Sequence, residues 1–194
     1  MLKIGITGGI GSGKSLIGKI LESLEYPVFY SDVQAKDITN NNEEVRTELI
    51  KHFGDEVFMD GTLNRQFLAE KIFSNSDERI FVNNLIHPKV REAYQYFAQS
   101  SKSPFVFNEA AILFETGSYK QFDKTILVTA PDSVRIERVM DRDHCSAEDV
   151  KQRMSNQWDD VKKIPLADFV IVNDGTKPLI DQVEKILKQL GSSL

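Results

Sequence analysis

Lys14 and Ser15 close the run Gly8-Gly9-Ile10-Gly11-Ser12-Gly13-Lys14-Ser15, a G-x-x-x-x-G-K-S spelling whose residue types suit the holding of a nucleoside triphosphate. Gly8, Gly9, Gly11 and Gly13 lack the Cβ atoms that would keep the backbone N–H groups of the loop, Ser12 among them, from converging on phosphate oxygens. Lys14 reaches the β- and γ-phosphates, Ser15 can ligate Mg²⁺, and a helix starting there adds its positive end. A carboxylate at a strand end is the natural complement. Asp32 follows the short apolar run Val28-Phe29-Tyr30, and Glu109 ends Phe105-Val106-Phe107. In an open parallel sheet the carboxyl ends of the strands face the ligand crevice. Asp32 can there accept a hydroxyl proton, help hold Mg²⁺, or cap the helix that follows, and these roles can coexist. Glu109 orients Mg²⁺ through water or is an ordinary strand-end acid.

The elements around these residues support the loop. Leu2-Lys3-Ile4-Gly5-Ile6-Thr7 reads as a buried strand, and Leu16, Ile17, Ile20, Leu21 and Leu24 recur at helical spacing. Further strands are expected at Val28 to Tyr30, Phe105 to Glu109, Thr125 to Thr129 and Phe169 to Val172, separated by helical patterns. The alternation implies an α/β fold with a parallel sheet covered by helices. Between the second and third strands Glu43 to Phe53, Arg65 to Phe73, Asp77 to Leu85 and Pro88 to Phe97 read as helices with no good strand among them. His87 then stands at the start of a helix, since proline favours the first turn. That insertion is where an acceptor would bind.

A second, charged excursion starts as a helix behind Asp132, a plausible N-cap, and restarts at Ser146-Ala147-Glu148-Asp149, a capping-box spelling. Two helices joined near His144 look like a lid. Arg135, Arg138 and Arg142 fall along one helix face, and arginine on a segment beside a phosphate loop suits charge developing on a transferring phosphoryl group. Pairing with Glu137 and Asp141 on a solvated face is the simpler alternative. His52 and His144 lack metal-ligand spacing, Trp158 suits packing, and Cys145 has no histidine fixed beside it.

At 194 residues, 41% hydrophobic and 27% charged, the chain is long enough for one α/β unit with insertions. Its net charge of −5 argues against a nucleic-acid or membrane-surface protein. The single cysteine forms no internal disulfide, the start carries no secretory pattern, and no apolar run spans a bilayer. A cytoplasmic protein with no obligate protein partner is expected. Neither Asp-x-x-Gly nor Asn-Lys-x-Asp occurs, so a guanine-specific switch is disfavoured against a kinase.

Beyond the phosphate loop, Ser31-Asp32 with Ala35, Gly61-Thr62-Leu63-Asn64-Arg65, Ile72-Phe73, Ile86-His87-Pro88, Ile112-Leu113-Phe114-Glu115, Ala167-Asp168-Phe169-Val170-Ile171 and Asn173-Asp174-Gly175 follow in order through essentially the whole chain. In this order they resemble the dephospho-coenzyme A kinase family. The resemblance implies ATP-dependent phosphorylation of the ribose 3′-hydroxyl of dephospho-coenzyme A, with Mg²⁺. It also implies a P-loop kinase core with a five-stranded parallel sheet at about 1–31, 103–134 and 165–194, a helical acceptor-binding insertion at about 32–102 and a helical lid at about 135–164. By the same resemblance Asp32 is the catalytic base and Arg142 the lid arginine that approaches ATP, while Lys14 from the loop motif and Arg138 beside Arg142 on its helix are expected to serve the transferring phosphoryl group as well. Asn173 and Gly175 lie near the adenine, Leu16 belongs to the ATP site, and Arg65, His87, Leu113, Phe114 and Glu115 surround the acceptor. Three positions depart from the family pattern. Tyr30 replaces an acid two residues before Asp32, Ala111 replaces a proline, and Leu16 replaces a threonine, removing one hydroxyl near the α-phosphate. Other small-molecule P-loop kinases, of the nucleoside-monophosphate or shikimate kind, are the nearest alternative.

Overall fold

The computed structural model describes residues 1–192. In chain order the elements are β1 (Leu2–Thr7), α1 (Lys14–Ser23), β2 (Val28–Tyr30), α2 (Ser31–Asn41), α3 (Glu43–Phe53), β3 (Phe58–Met59), β4 (Thr62–Leu63), α4 (Arg65–Ser74), α5 (Ser76–Ser100) and β5 (Phe105–Glu109). There follow β6 (Lys124–Thr129), α6 (Asp132–Asp143), α7 (Ala147–Ser155), α8 (Asp160–Lys163), β7 (Phe169–Val172) and α9 (Leu179–Gly191). Contacts divide the chain into two compact units, one of Met1–Tyr30 with the residues from Ser101 onward, the other of Ser31–Ser100.

The first unit is built on a five-stranded sheet in the order β2-β5-β1-β6-β7, all of whose pairings are parallel. All five expected strands form. Their apolar runs are short; β5 and most of central β1 and β6 are buried on both sheet faces, which explains runs that are continuous rather than alternating, while edge strand β7 leaves Val170 and Val172 exposed. Ile4 and Ile6 of central β1 are fully buried, with Ile17 and Leu21 of α1, Phe107, Val128, Ile171 and Leu190 of α9 in the same cluster. Burying each such side chain contributes about 1.5–3 kcal/mol against leaving it in water. The loop after β1 therefore springs from the most constrained strand of the sheet.

The second unit is mainly helical. Val45 and Leu49 of α3, Val57, Leu68 of α4 and Val82 of α5 form its core, with Ile38 of α2. It also contains strands where none was expected: β3 and β4 pair antiparallel around Asp60 and Gly61, both at positive φ (51° and 77°). Aspartate followed by glycine supplies the two left-handed positions of a tight hairpin turn, a signal outweighed by the helical patterns around it. A second correction concerns Pro88. The two helices expected on either side of it are one, α5, and His87 lies inside it. Proline costs a helix interior about 3 kcal/mol through a lost hydrogen bond and a ring clash. Val82, Leu85 and Ile86 before it and Val90 and Ala93 after it pack on one cluster, which holds the helix together across the break. His52 pairs with Glu78 and stacks on Phe81 with ring centroids 3.9 Å apart, a packing role.

No helix among the described residues is long and apolar enough to cross a membrane.

Candidate active site

The phosphate loop fills the turn from β1 to α1. Gly11 and Gly13 have φ of 76° and 97°, values that favour glycine, and a Cβ at Gly13 would meet Asn173 Nδ2. Gly8 and Gly9 are equally crowded: a Cβ on the first would strike the Val128 carbonyl and on the second the Arg135 guanidinium. Among the described residues no side chain caps α1, and its first turn carries no acid of its own. Lys14 folds back over the loop, with Nζ 3.5 Å from the Gly9 carbonyl and 4.0 Å from Glu109 Oε1. Glu109 is 5% exposed at the end of β5, in register with Ile6 of β1. Ser15 and Leu16 are exposed in the first turn of α1. Ser12 is fully buried, and its Oγ has no hydrogen-bond partner among the described residues.

Residues from other elements hold the loop from outside. Asn173, buried just past β7, donates from Nδ2 to the Ser12 carbonyl at 2.8 Å, while its own N–H donates to the Thr129 carbonyl at 2.8 Å. Its Oδ1 accepts from Arg138 Nη2 at 3.3 Å, and Arg138 Nη1 is left buried without a hydrogen-bond partner among the described residues. Gly175 follows in a turn at φ 85°.

The arginine face of α6 is divided among separate partners. Arg135 is 6% exposed and turns inward, donating from Nε to the Ile10 carbonyl at 2.9 Å. Arg142, expected near the phosphates, forks onto Asp143 at 2.7 and 3.0 Å, and Arg153 reaches the same carboxylate at 2.7 Å. The Arg142 bond is the largest cause holding the Asp143 pKa down, to about 2. Asp132 is not the N-cap of α6: Pro131 holds that place, and Asp132, one residue inside, pairs with Arg135 Nη1 at 3.1 Å. Ser146 and Asp149 do form the reciprocal capping box at α7, and His144, left-handed at φ 52°, ends α6.

Tyr30, standing where an acid was expected, donates to Glu22 Oε2 at 3.0 Å and packs on Gly18 of α1. Burial, then Glu22, pushes its pKa up, so the hydroxyl stays neutral. In the turn after β5, Leu113 and Phe114 are buried, the first beside Gly5 and the second against Tyr119 at 5.2 Å between centroids. Ala111 offers its carbonyl to Thr7 Oγ1 at 3.3 Å. Glu115 Oε1 accepts from the Trp158 N–H at 3.1 Å and pairs at 2.8 Å with Lys163, a lysine with no exposed surface that sequence reasoning missed. An Nζ so buried requires a partner, and only the fold reveals it.

In the helical unit Asp32 is exposed in the first turn of α2. The capping role considered for it does not hold: α2 starts at Ser31, straight from the end of β2, which leaves Asp32 inside the helix. Arg65 opens α4 behind Asn64, whose side chain accepts from the Phe67 N–H. Desolvation, then the charge of Arg91 one turn on, lowers the pKa of His87.

A five-stranded parallel sheet with its glycine-rich loop between the central strand and a helix, and with lysine and serine opening that helix, defines a P-loop kinase, a user of nucleotide. Within that class the chain belongs to the dephospho-CoA kinase family, whose model matches residues 2–178. A dephospho-CoA kinase from Bacteroides fragilis is 41% identical over 187 residues, covering 96% of this chain and 91% of the relative. The crystal structure of TT1252 from Thermus thermophilus superposes with a TM-score of 0.87 at 35% identity, covering 100% of this chain and 97% of that one. Dephospho-CoA kinase from Campylobacter jejuni gives a TM-score of 0.69 at 26% identity, covering 98% of both chains.

Proposed function

We propose that the protein transfers the γ-phosphoryl group of ATP to the ribose 3′-hydroxyl of dephospho-CoA, releasing CoA and ADP. The observation that carries this reading is the family match over residues 2–178, with the phosphate loop intact at its start. The 3′-oxygen attacks the γ-phosphorus in line with the departing ADP oxygen, so catalysis is chiefly positioning and charge stabilisation. Lys14 and the loop amides hold the β- and γ-phosphates. Asp32 orients the hydroxyl and takes its proton. Arg138 and Arg142 meet charge on the transferring group, Arg142 after leaving Asp143 as the α6–α7 hairpin closes as a lid. Asn173 and Gly175 line the adenine side and Leu16 the α-phosphate side. Arg65, His87 and Glu115 face the acceptor, with Leu113 and Phe114 shaping the turn that carries Glu115.

The loop suits an anion: the buried Ser12 Oγ and Arg138 Nη1 both lack a hydrogen-bond partner among the described residues, and each can donate to phosphate. No group of at least three His, Cys, Asp or Glu side chains is gathered among the described residues; Mg²⁺ in nucleotide sites is commonly held by one or two protein oxygens with nucleotide phosphates and water. Ser15, with Glu109 and Asp32, would hold it, and its charge would offset that of the phosphates.

The test is ADP release measured with dephospho-CoA, nucleoside monophosphates and shikimate in parallel. Turnover with dephospho-CoA alone is expected. Preferential turnover of either other acceptor, or of none, overturns the reading.

A further inference from the structure

The backbone of Ile10, in the middle of the phosphate loop, is hydrogen-bonded at both its N–H and its carbonyl by the segment that carries α6 and α7. Its N–H donates to Gln157 Oε1 at 2.8 Å, and its carbonyl accepts from Arg135 Nε at 2.9 Å. Arg135 lies in the first turn of α6, and Gln157 follows α7 in a turn closed by its own N–H on the Met154 carbonyl at 2.9 Å. The helical hairpin thus starts at one bond to Ile10 and ends at the other.

The returning end is well fixed. Beside Gln157, the Trp158 N–H bonds Glu115 Oε1, and the buried Lys163 pairs with the same oxygen. The side chain of Gln157 therefore reaches the loop from a backbone that is itself tied to the turn after β5. Directly beyond Ile10 the chain enters the left-handed turns at Gly11 and Gly13, so a rotation of the two peptide groups that flank the Ile10 Cα passes into the loop amides that follow.

We infer that Gln157 is a positioning residue for the nucleotide: together with Arg135 it sets the two peptide groups flanking the Ile10 Cα, and through them the loop amides, so that nucleotide affinity and the placement of the α6–α7 hairpin are linked. Linkage of this kind is reciprocal: what tightens the loop around phosphate also favours the hairpin arrangement that holds Ile10. The inference rests on the reading of the loop as the nucleotide site, but not on the identity of the acceptor.

The experiment compares the wild-type chain with Gln157→Met, which keeps side-chain length and removes the acceptor oxygen, and Gln157→Asn, which keeps the amide but falls short of Ile10. Two quantities are read: Mg·ADP affinity by calorimetry, and amide hydrogen exchange along the chain by NMR. Both variants are expected to weaken ADP binding about two- to tenfold, the worth of one neutral hydrogen bond. Exchange should quicken at Ile10 and Gly11 while β1 and α1 keep their protection. Unchanged affinity, unchanged exchange at Ile10, or a loss of protection spread through β1 and α1 overturns the inference. If wild-type ADP binding is normal but dephospho-CoA is not phosphorylated, the proposed function fails and this inference stands.

Discussion

The two units treat their candidate residues differently. On the nucleotide side the loop is held by Asn173 past β7, by Arg135 in α6 and by Gln157 after α7, and Glu109 beneath Lys14 is buried. On the helical side Asp32 and Arg65 are exposed side chains in the first turns of α2 and α4, supported by a small apolar cluster. A site for an unvarying triphosphate can be rigid before the ligand arrives. The residues proposed to meet the acceptor lie on helix surfaces, where their ordering by a ligand carries a cost in entropy.

The sharpest way to break that contrast is Asp32→Asn. Loss of the proposed base should lower kcat by about 10²- to 10⁴-fold, with ATP binding intact. The melting temperature should move only a few degrees, because a first-turn acid contributes about 0.3–1 kcal/mol through the helix dipole. Retained turnover would make Asp32 structural, and a parallel collapse of Mg²⁺ affinity would make it a metal ligand. Next in size is Lys14→Ala, expected to reduce kcat by about 10²- to 10³-fold with an unchanged circular dichroism spectrum. Near-normal turnover would remove the loop from catalysis.

Stability sharpens the comparison further. Leu49→Ala empties a fully buried place in the helical core and should cost about 2–5 kcal/mol there. Hydrogen exchange should accelerate in α3 and α5 while β1, β5 and β6 keep their protection. Equal acceleration in the sheet would show that the two units unfold as one. The smallest effect concerns pH. Asp143 is held down to about 2 by Arg142 and then Arg153, so the stabilisation from these pairs is complete above the ordinary carboxylate value of about 4 and is lost as pH falls through 2. A carboxyl-carbon NMR titration with a midpoint near 4 would show that both arginines have left it.

The sheet and the loop were legible because their signals are local: continuous apolar runs bounded by turns, and glycines at fixed offsets. What escaped depended on long-range packing. Pro88 read as a helix start because its cost is local, whereas the shared cluster that outweighs it joins residues on both sides of the break. The α6 arginines share a face by period, but Asp143 and Asn173 divided them. Gln157 carries no motif at all, and its meaning lies in a peptide far away in sequence. Asp60-Gly61 was the exception, a local hairpin signal passed over.

The sheet order also bears on how the chain is made. Central β1 pairs with β5 at Leu2↔Phe105 and with β6 at Ile4↔Lys124. During translation β1 leaves the ribosome and waits through roughly a hundred residues, on the order of 5–20 s, before a neighbouring strand exists. Ser31–Ser100 is completed inside that interval and needs only contacts of its own for its core. The helical unit can therefore fold first on the ribosome, while an apolar strand stays exposed and in need of protection from chaperones until Phe105–Glu109 emerges.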